Sequence, residues 1–237
     1  MINIIRGNIF NTNCECIVNT INCVGFMGKG IALEMSIRYP EMEQVYKQMC
    51  SEGEIQVGKL WLFRPATEKK KVLNFPTKYD YKMPSKIEYI ESGLQYFVDN
   101  YKHYGIKSIA FSLLGATNGK LKPEQSLAIM KKYLSGIPDL HIEIYIFDKN
   151  QYIIDQQFLD FIKYLKAHPT PKNNRIYKII NDNKNLLNFA DVVETKVPEE
   201  HPDGTYKRLS IATKKYLQSI VAYLDSEEAL SHSGMLF

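Results

Sequence analysis

A chain of 237 residues that is 45% apolar and 24% charged has the make-up of a globular protein, with length for one substantial core or for an ordinary domain plus an appendage. No apolar run approaches the roughly 20 residues that span a bilayer, and the start, Met1 to Asn8, lacks a signal peptide's basic and hydrophobic regions. A cytosolic location with no membrane partner is therefore expected, and a net charge of +4 permits a polyanionic partner without requiring one.

In chain order, residues 2–5 read as a short strand, Gly7 as a turn, and residues 16–19 as a second extended segment. Residues 17–39 then run from an apolar strand, through a loop bearing Gly25, Gly28 and Gly30, into apolar residues at helical spacing. Glycines in such a loop let main-chain amides approach a ligand closely. A helix starting at Gly30 adds its own unsatisfied amides and the positive end of its dipole. The guest this arrangement suits is a phosphate or pyrophosphate, and Asn19 and Asn22 beside it strengthen that reading.

The helix from Gly30 stops before Pro40, and residues 41–50 continue as a second helical piece up to a turn at Gly53. Residues 60–64 and 71–75 read as two strands, hairpin or sheet neighbours, separated by the polar stretch 67–70. Ser85-Lys86-Ile87-Glu88 fits a capping box, followed by Ile87, Ile90, Leu94, Phe97 and Val98 at helical spacing. Residues 106–114 form a nearly continuous apolar strand, of the kind buried on both faces. It runs into Gly115-Ala116-Thr117-Asn118-Gly119, a second glycine-bearing loop, and Pro123 opens a helix carrying Leu127, Ile129, Met130 and Leu134. Residues 140–147 are the last strong strand.

Strands alternating with helices predict a three-layer α/β/α domain over residues 1–150, with a mixed central sheet and both glycine loops beyond the carboxyl ends of strands, where such sheets bind ligands. Residues 151–237 read as a helical carboxyl-terminal extension or small second module. They comprise an amphipathic helix over 152–166, a linker over 168–174, and a helix over 207–224 with Leu209, Leu217, Ile220, Val221 and Leu224 inward.

Cys14, Cys16, Cys23 and Cys50 lack zinc-site spacing, so free thiols and no metal are expected. Cys23 lies near the first glycine loop but has no histidine near it in sequence to activate it. Phe147 and Tyr152, just past the last strand, either stack on a ligand's base or close the core. Lys69-Lys70-Lys71 and the group Lys207, Arg208, Lys214 and Lys215 either follow a nucleic-acid backbone or form a solvated face, and nearby acidic residues favour the solvated face.

Four segments then match a known pattern in order: Gly7-Asn8-Ile9, residues 17–32, Asn74-Phe75-Pro76-Thr77-Lys78, and Leu114-Gly115 through Asn118-Gly119. Over about residues 1–148 the chain resembles a macrodomain, and among macrodomains it is most similar to the DarG group, antitoxin-type enzymes that remove ADP-ribose from DNA. The resemblance implies ADP-ribose bound across the carboxyl ends of the strands and hydrolysis of the bond between its distal ribose and a modified macromolecule. It implies no cofactor, and it implies DNA and a cognate ADP-ribosyltransferase toxin as partners.

By the same resemblance, Gly25, Met27, Gly28, Lys29, Gly30 and Ile31 wrap the diphosphate and distal ribose. Gly115, Ala116, Thr117, Asn118 and Gly119 close over the phosphates from the other side, Asn8 and Ile9 lie at the adenine, Asn22 orients the distal ribose, and Lys78 stands where the group has a catalytic lysine. From its own chemistry Asn22 serves equally to cap the glycine loop, and Lys78 to pair with a phosphate as a point charge. This chain departs from the family's usual aspartate at Asn8, and it has Lys120 and Lys122 where the DarG group shows glycine and aspartate. The last departure keeps a second reading open, a module that binds ADP-ribose or a related nucleotide without cleaving it.

Overall fold

The apolar runs read as strands do pair with one another. In the computed structural model, which describes residues 2–66, 69–198, 206–208 and 211–226, they form one six-stranded sheet. Its strands are β1 (Ile2–Arg6), β2 (Cys16–Ile21), β3 (Trp61–Phe63), β4 (Lys71–Pro76), β5 (Ser108–Ser112) and β6 (His141–Ile146), in the order β1-β6-β5-β2-β4-β3. All pairs are parallel except β3 with β4, so the sheet is mixed, as expected from sequence. Central strands of a parallel sheet are covered on both faces, and Val18, Leu73, Phe75, Phe111, Ile142 and Ile144 are all fully buried.

Helices flank this sheet. α2 (Pro40–Ser51) buries Met42 and Tyr46, α3 (Ile87–Asn100) buries Ile90, Leu94 and Phe97, and α4 (Pro123–Leu134) buries Met130 and Leu134. The capping box predicted at Ser85 does not form. Lys86 is the residue that caps α3, and no side chain bonds there, because the Ser85 amide donates instead to the Gly119 carbonyl at 2.9 Å. No helix among the described residues is long and apolar enough to cross a membrane.

By packing, the chain forms two compact units: Met1–Ala32 with Glu41–Tyr152, and Leu33–Pro40 with Ile153–Phe237. The first contains the sheet. The second takes most of α1 (Gly30–Arg38), a segment that the division drawn at residue 150 left with the sheet, together with α5 (Gln156–Ala167), α6 (Pro171–Asp182), α7 (Phe189–Glu194) and α8 (Ile211–Leu224). β7 (Lys196–Pro198) and β8 (Tyr206–Arg208) pair antiparallel there. Phe158, Phe161, Phe189, Leu217 and Val221 form its core with Leu33 and Ile37. Within that core the Arg38 guanidinium spans Glu34 and Asp155, each at 2.7 Å, with all three side chains at 5% exposure or less.

Three readings of the carboxyl-terminal half are corrected. The stretch 168–174 is no linker, because Thr170 caps α6 through a 3.1 Å bond from the Asn173 amide and Pro171 occupies the first turn, where its missing N–H costs nothing. The helix predicted from 152 starts at Gln156, capped by Asp155. The helix predicted from 207 starts at Ile211, with β8 before it. Leu217, Ile220 and Val221 are buried as expected, whereas Leu209 and the side chains of Lys207 and Arg208 lie outside the described residues, as does Thr67.

Candidate functional site

The parallel strands place their carboxyl ends along one edge, and each predicted ligand segment leaves from that edge: residues 7–9 after β1, Phe147 after β6, the second glycine loop after β5, the first after β2, and Lys78 after β4. The first loop is shaped by Asn22. Its side-chain oxygen accepts from the Val24 amide at 3.0 Å and the Phe26 amide at 3.4 Å, while its amide nitrogen donates to the Phe26 carbonyl at 2.6 Å. The buried Tyr46 hydroxyl lies 2.8 Å from the Asn22 carbonyl and 3.1 Å from its side-chain oxygen. Asn22 is thus the organiser of the loop itself, with both ends of its side-chain amide engaged.

Two hydrogen-bonded ties bring the segment after β4 against both glycine loops. The Cys23 amide donates to the Tyr79 carbonyl at 2.9 Å, and the Lys78 ammonium donates to the Asn118 carbonyl at 2.5 Å. The loops also meet directly: Gly30 has φ +53, and a Cβ there would sit 2.8 Å from the Asn118 side-chain nitrogen. Gly30 and Asn118 thus bring the two predicted loops together, Gly25, Gly28 and Lys29 lying in the first and Thr117 and Gly119 in the second. Lys29, Thr117 and Asn118 are exposed, Ile31 is half-buried, and Met27, Ala116 and Gly119 are buried beneath them. A Cβ at Gly119 would fall 2.4 Å from the buried Ser85 hydroxyl, so any side chain there requires Ser85 to shift.

Lys78 is half-buried, and its pKa is lowered, first by loss of water and then by the nearby charge of Lys120. Lys120 follows the second loop at φ +67, the one non-glycine residue among those described with a left-handed backbone. This is the position where the resemblance led one to expect glycine, and a single left-handed residue costs an L side chain about 1–2 kcal/mol. Cys23 sits beside Lys78, its sulfur 3.6 Å from the Lys78 carbonyl, but burial pushes its thiol up to about 11, which leaves it a poor nucleophile.

Farther along the edge, the Gly7 amide donates to the Ile146 carbonyl at 3.0 Å, joining the ends of β1 and β6. Asn8 caps the turn that follows, accepting from the Phe10 amide at 3.0 Å, and Ile9 packs inward. Phe147 is 55% exposed with its ring 5.4 Å from that of Tyr152, so it stands at the rim and is not part of the core. Asn19 is not brought to the rim. It is fully buried inside the sheet, donates to Asn74 at 2.9 Å, and leaves its side-chain oxygen without a partner among the described residues.

Sequence reasoning missed the aromatic surface beside Lys78. Phe26 is 50% exposed, lies across Gly28 and meets Tyr81 at 4.5 Å, and the Lys82 ammonium stands 5.6 Å from the Tyr81 ring. Tyr79 and Met83 are also exposed. The signal was available in Lys78-Tyr79-Asp80-Tyr81-Lys82, where aromatic and basic residues interleave directly after the lysine.

A profile of the Macro domain family matches residues 18–130. A Thermus aquaticus protein named DNA ADP-ribosyl glycohydrolase is 33% identical over 147 residues, covering 61% of this chain and 41% of that protein. This chain thus spans about two fifths of the length of the curated relatives it matches. The solved macrodomain of Mycobacterium tuberculosis DarG is 37% identical with a TM-score of 0.59, covering 61% of this chain and 97% of that one. The structure of Thermosipho africanus DarTG in complex with ADP-ribose is 31% identical with a TM-score of 0.58, covering 65% of this chain and 44% of that one. Strand order, paired glycine loops and these likenesses agree, and the chain belongs to the macrodomain family.

Proposed function

We propose that this chain is an ADP-ribosyl glycohydrolase that releases ADP-ribose from DNA. The observation that carries the reading is Lys78, a half-buried amine of lowered pKa bonded to the phosphate-loop candidate Asn118 between two facing glycine loops. Main-chain amides at the start of α1 suit a diphosphate, which carries two negative groups in fixed separation. Lys78, moved off the Asn118 carbonyl by the arriving nucleotide, adds its neutral amine to the anomeric carbon of the distal ribose. The base leaves with the electrons of the broken bond and takes up a proton, and water then frees the sugar from the lysine nitrogen, restoring the amine. Asn22 acts by holding the loop in shape, so it is a positioning residue.

DNA is favoured over protein as the carrier because the exposed rings of Phe26, Tyr79 and Tyr81, with Lys82 beside them, suit unstacked bases and backbone phosphates. A cognate ADP-ribosyltransferase belongs to the same reading, since a Thermosipho africanus relative is named a DNA ADP-ribosyl transferase–DNA ADP-ribosyl glycohydrolase fusion protein. The second reading, binding without turnover, draws on Lys122, which caps α4 with no side-chain bond where the DarG resemblance calls for aspartate. Incubating ADP-ribosylated oligonucleotide with the protein and with Lys78→Ala separates them. Free ADP-ribose from the wild type alone supports hydrolysis, and tight binding by both with no release overturns it in favour of the binder.

A further inference from the structure

At the end of the sheet opposite the glycine loops, three side chains with metal-ligating atoms converge from separate parts of the first unit. His141 and Glu143 are two apart on β6 and so share a face, and Cys14 lies in the turn that leads into β2. The Glu15 amide donates to the Ser108 hydroxyl at 2.9 Å, and Ser108 is in register with His141, which carries Cys14 to the same place. The Cys14 sulfur, a His141 ring nitrogen and a Glu143 carboxylate oxygen all lie within 4.8 Å of one another.

We propose that Cys14, His141 and Glu143 form a zinc site that pins the β2 entry turn to β6. The donor set is one thiolate, one imidazole and one carboxylate, a mixture suited to zinc and poorly suited to magnesium or calcium. The His141 Nε2 to Glu143 oxygen distance of 3.2 Å, an ion-pair contact here, needs to open only slightly to reach the edge of a tetrahedron with metal–ligand bonds of about 2.0–2.3 Å, roughly 3.3–3.8 Å. A partner shell orients the carboxylate. Thr12 donates to its other oxygen and in turn accepts from the Cys14 amide at 3.0 Å, while the Tyr145 hydroxyl donates to it at 3.1 Å. The Cys14 side chain is buried, whereas that of His141 is 46% exposed beside Glu143. Binding replaces the thiol proton with the metal, releases that proton to solvent and leaves the fourth position to water. The site stands at the amino-terminal ends of the strands, away from the glycine loops, so its expected effect is to tie the β2 entry turn to β6, with the open fourth position setting it apart from a closed four-ligand zinc.

The test uses the whole 237-residue chain and Co²⁺ as a spectroscopic probe for Zn²⁺. The expected result is one equivalent of tightly bound Co²⁺ with the intense visible bands of tetrahedral coordination and a near-ultraviolet thiolate charge-transfer band. Zn²⁺ displaces the Co²⁺, Cys14→Ser abolishes the charge-transfer band, and Cys23→Ser leaves it intact. Should Cys14→Ser not fold, His141→Ala decides, with an expected loss of Co²⁺ affinity of about tenfold or more. Failure to bind Co²⁺, a spectrum without the thiolate band, or a spectrum and affinity unchanged in these variants overturns the site, whatever the outcome of the glycohydrolase assay.

Discussion

Replacing Gly30 with alanine isolates the contact between the two glycine loops. The backbone there has φ +53, where an L side chain costs about 1–2 kcal/mol, and the new methyl would lie 2.8 Å from the Asn118 side-chain nitrogen. Asn118 must then leave its rotamer, adding about 0.5–1.5 kcal/mol. Gly53→Ala is the control: its φ of +74 imposes similar backbone strain, but nothing stands within 4 Å of the added carbon. Both variants are expected to lose thermal stability, Gly30→Ala more so. Only Gly30→Ala displaces a residue of the facing loop, so only it weakens ADP-ribose binding in isothermal titration calorimetry, by about twofold to twelvefold on the Asn118 increment alone. Wild-type affinity in Gly30→Ala, or an equal loss in Gly53→Ala, would refute the claim that the two loops form one cradle.

Because burial and then Lys120 lower the Lys78 pKa, its neutral amine is populated at lower pH than in an ordinary lysine, and glycohydrolase rate is expected to rise with pH and level off below the usual lysine range. Lys120→Gln removes the repulsion and should move that rising limb to higher pH, and a pH–rate profile with an unmoved limb detaches Lys120 from the chemistry. Tyr81→Ala should weaken capture of a modified oligonucleotide by about 1–3 kcal/mol while leaving affinity for free ADP-ribose intact, measured by fluorescence anisotropy and calorimetry respectively. Arg38→Met leaves the buried carboxylates of Glu34 and Asp155 without their shared cation and should cost about 3–5 kcal/mol in urea denaturation. Arg38→Lys should recover little, since a single ammonium cannot reproduce the paired bonds of 2.7 and 2.8 Å to both Asp155 oxygens.

The sheet was legible because each strand is a short apolar run punctuated by glycine or proline, and because buried parallel strands announce themselves through continuity, as in residues 106–114. The two glycine loops were legible for the same reason, and their meeting at Gly30 and Asn118 follows from β2 and β5 being sheet neighbours. What escaped was tertiary. Ser85 has the sequence of a helix cap, yet its amide is claimed by Gly119 across the site. Asn19 sits in the first-loop motif, yet strand alternation turns it into the sheet toward Asn74. Thr170-Pro171 reads equally as a linker or a helix start, and only the partners available to α6 decide. The Phe26–Tyr81 pair joins residues 55 positions apart, a relation that no local periodicity encodes.

The assignment of Leu33–Pro40 to the second unit bears on how this protein can be shortened. Leu33 and Ile37 are buried among Phe158, Phe161 and Leu217, so ending the chain at Tyr152 would strip the middle of α1 of its apolar cover while leaving Gly30, at the head of the same helix, beside Asn118 of the second glycine loop. The tail is therefore inherited with the site. Homologous replacement of the tail should preserve Phe158, Phe161 and Leu217, which share a core with Leu33 and Ile37.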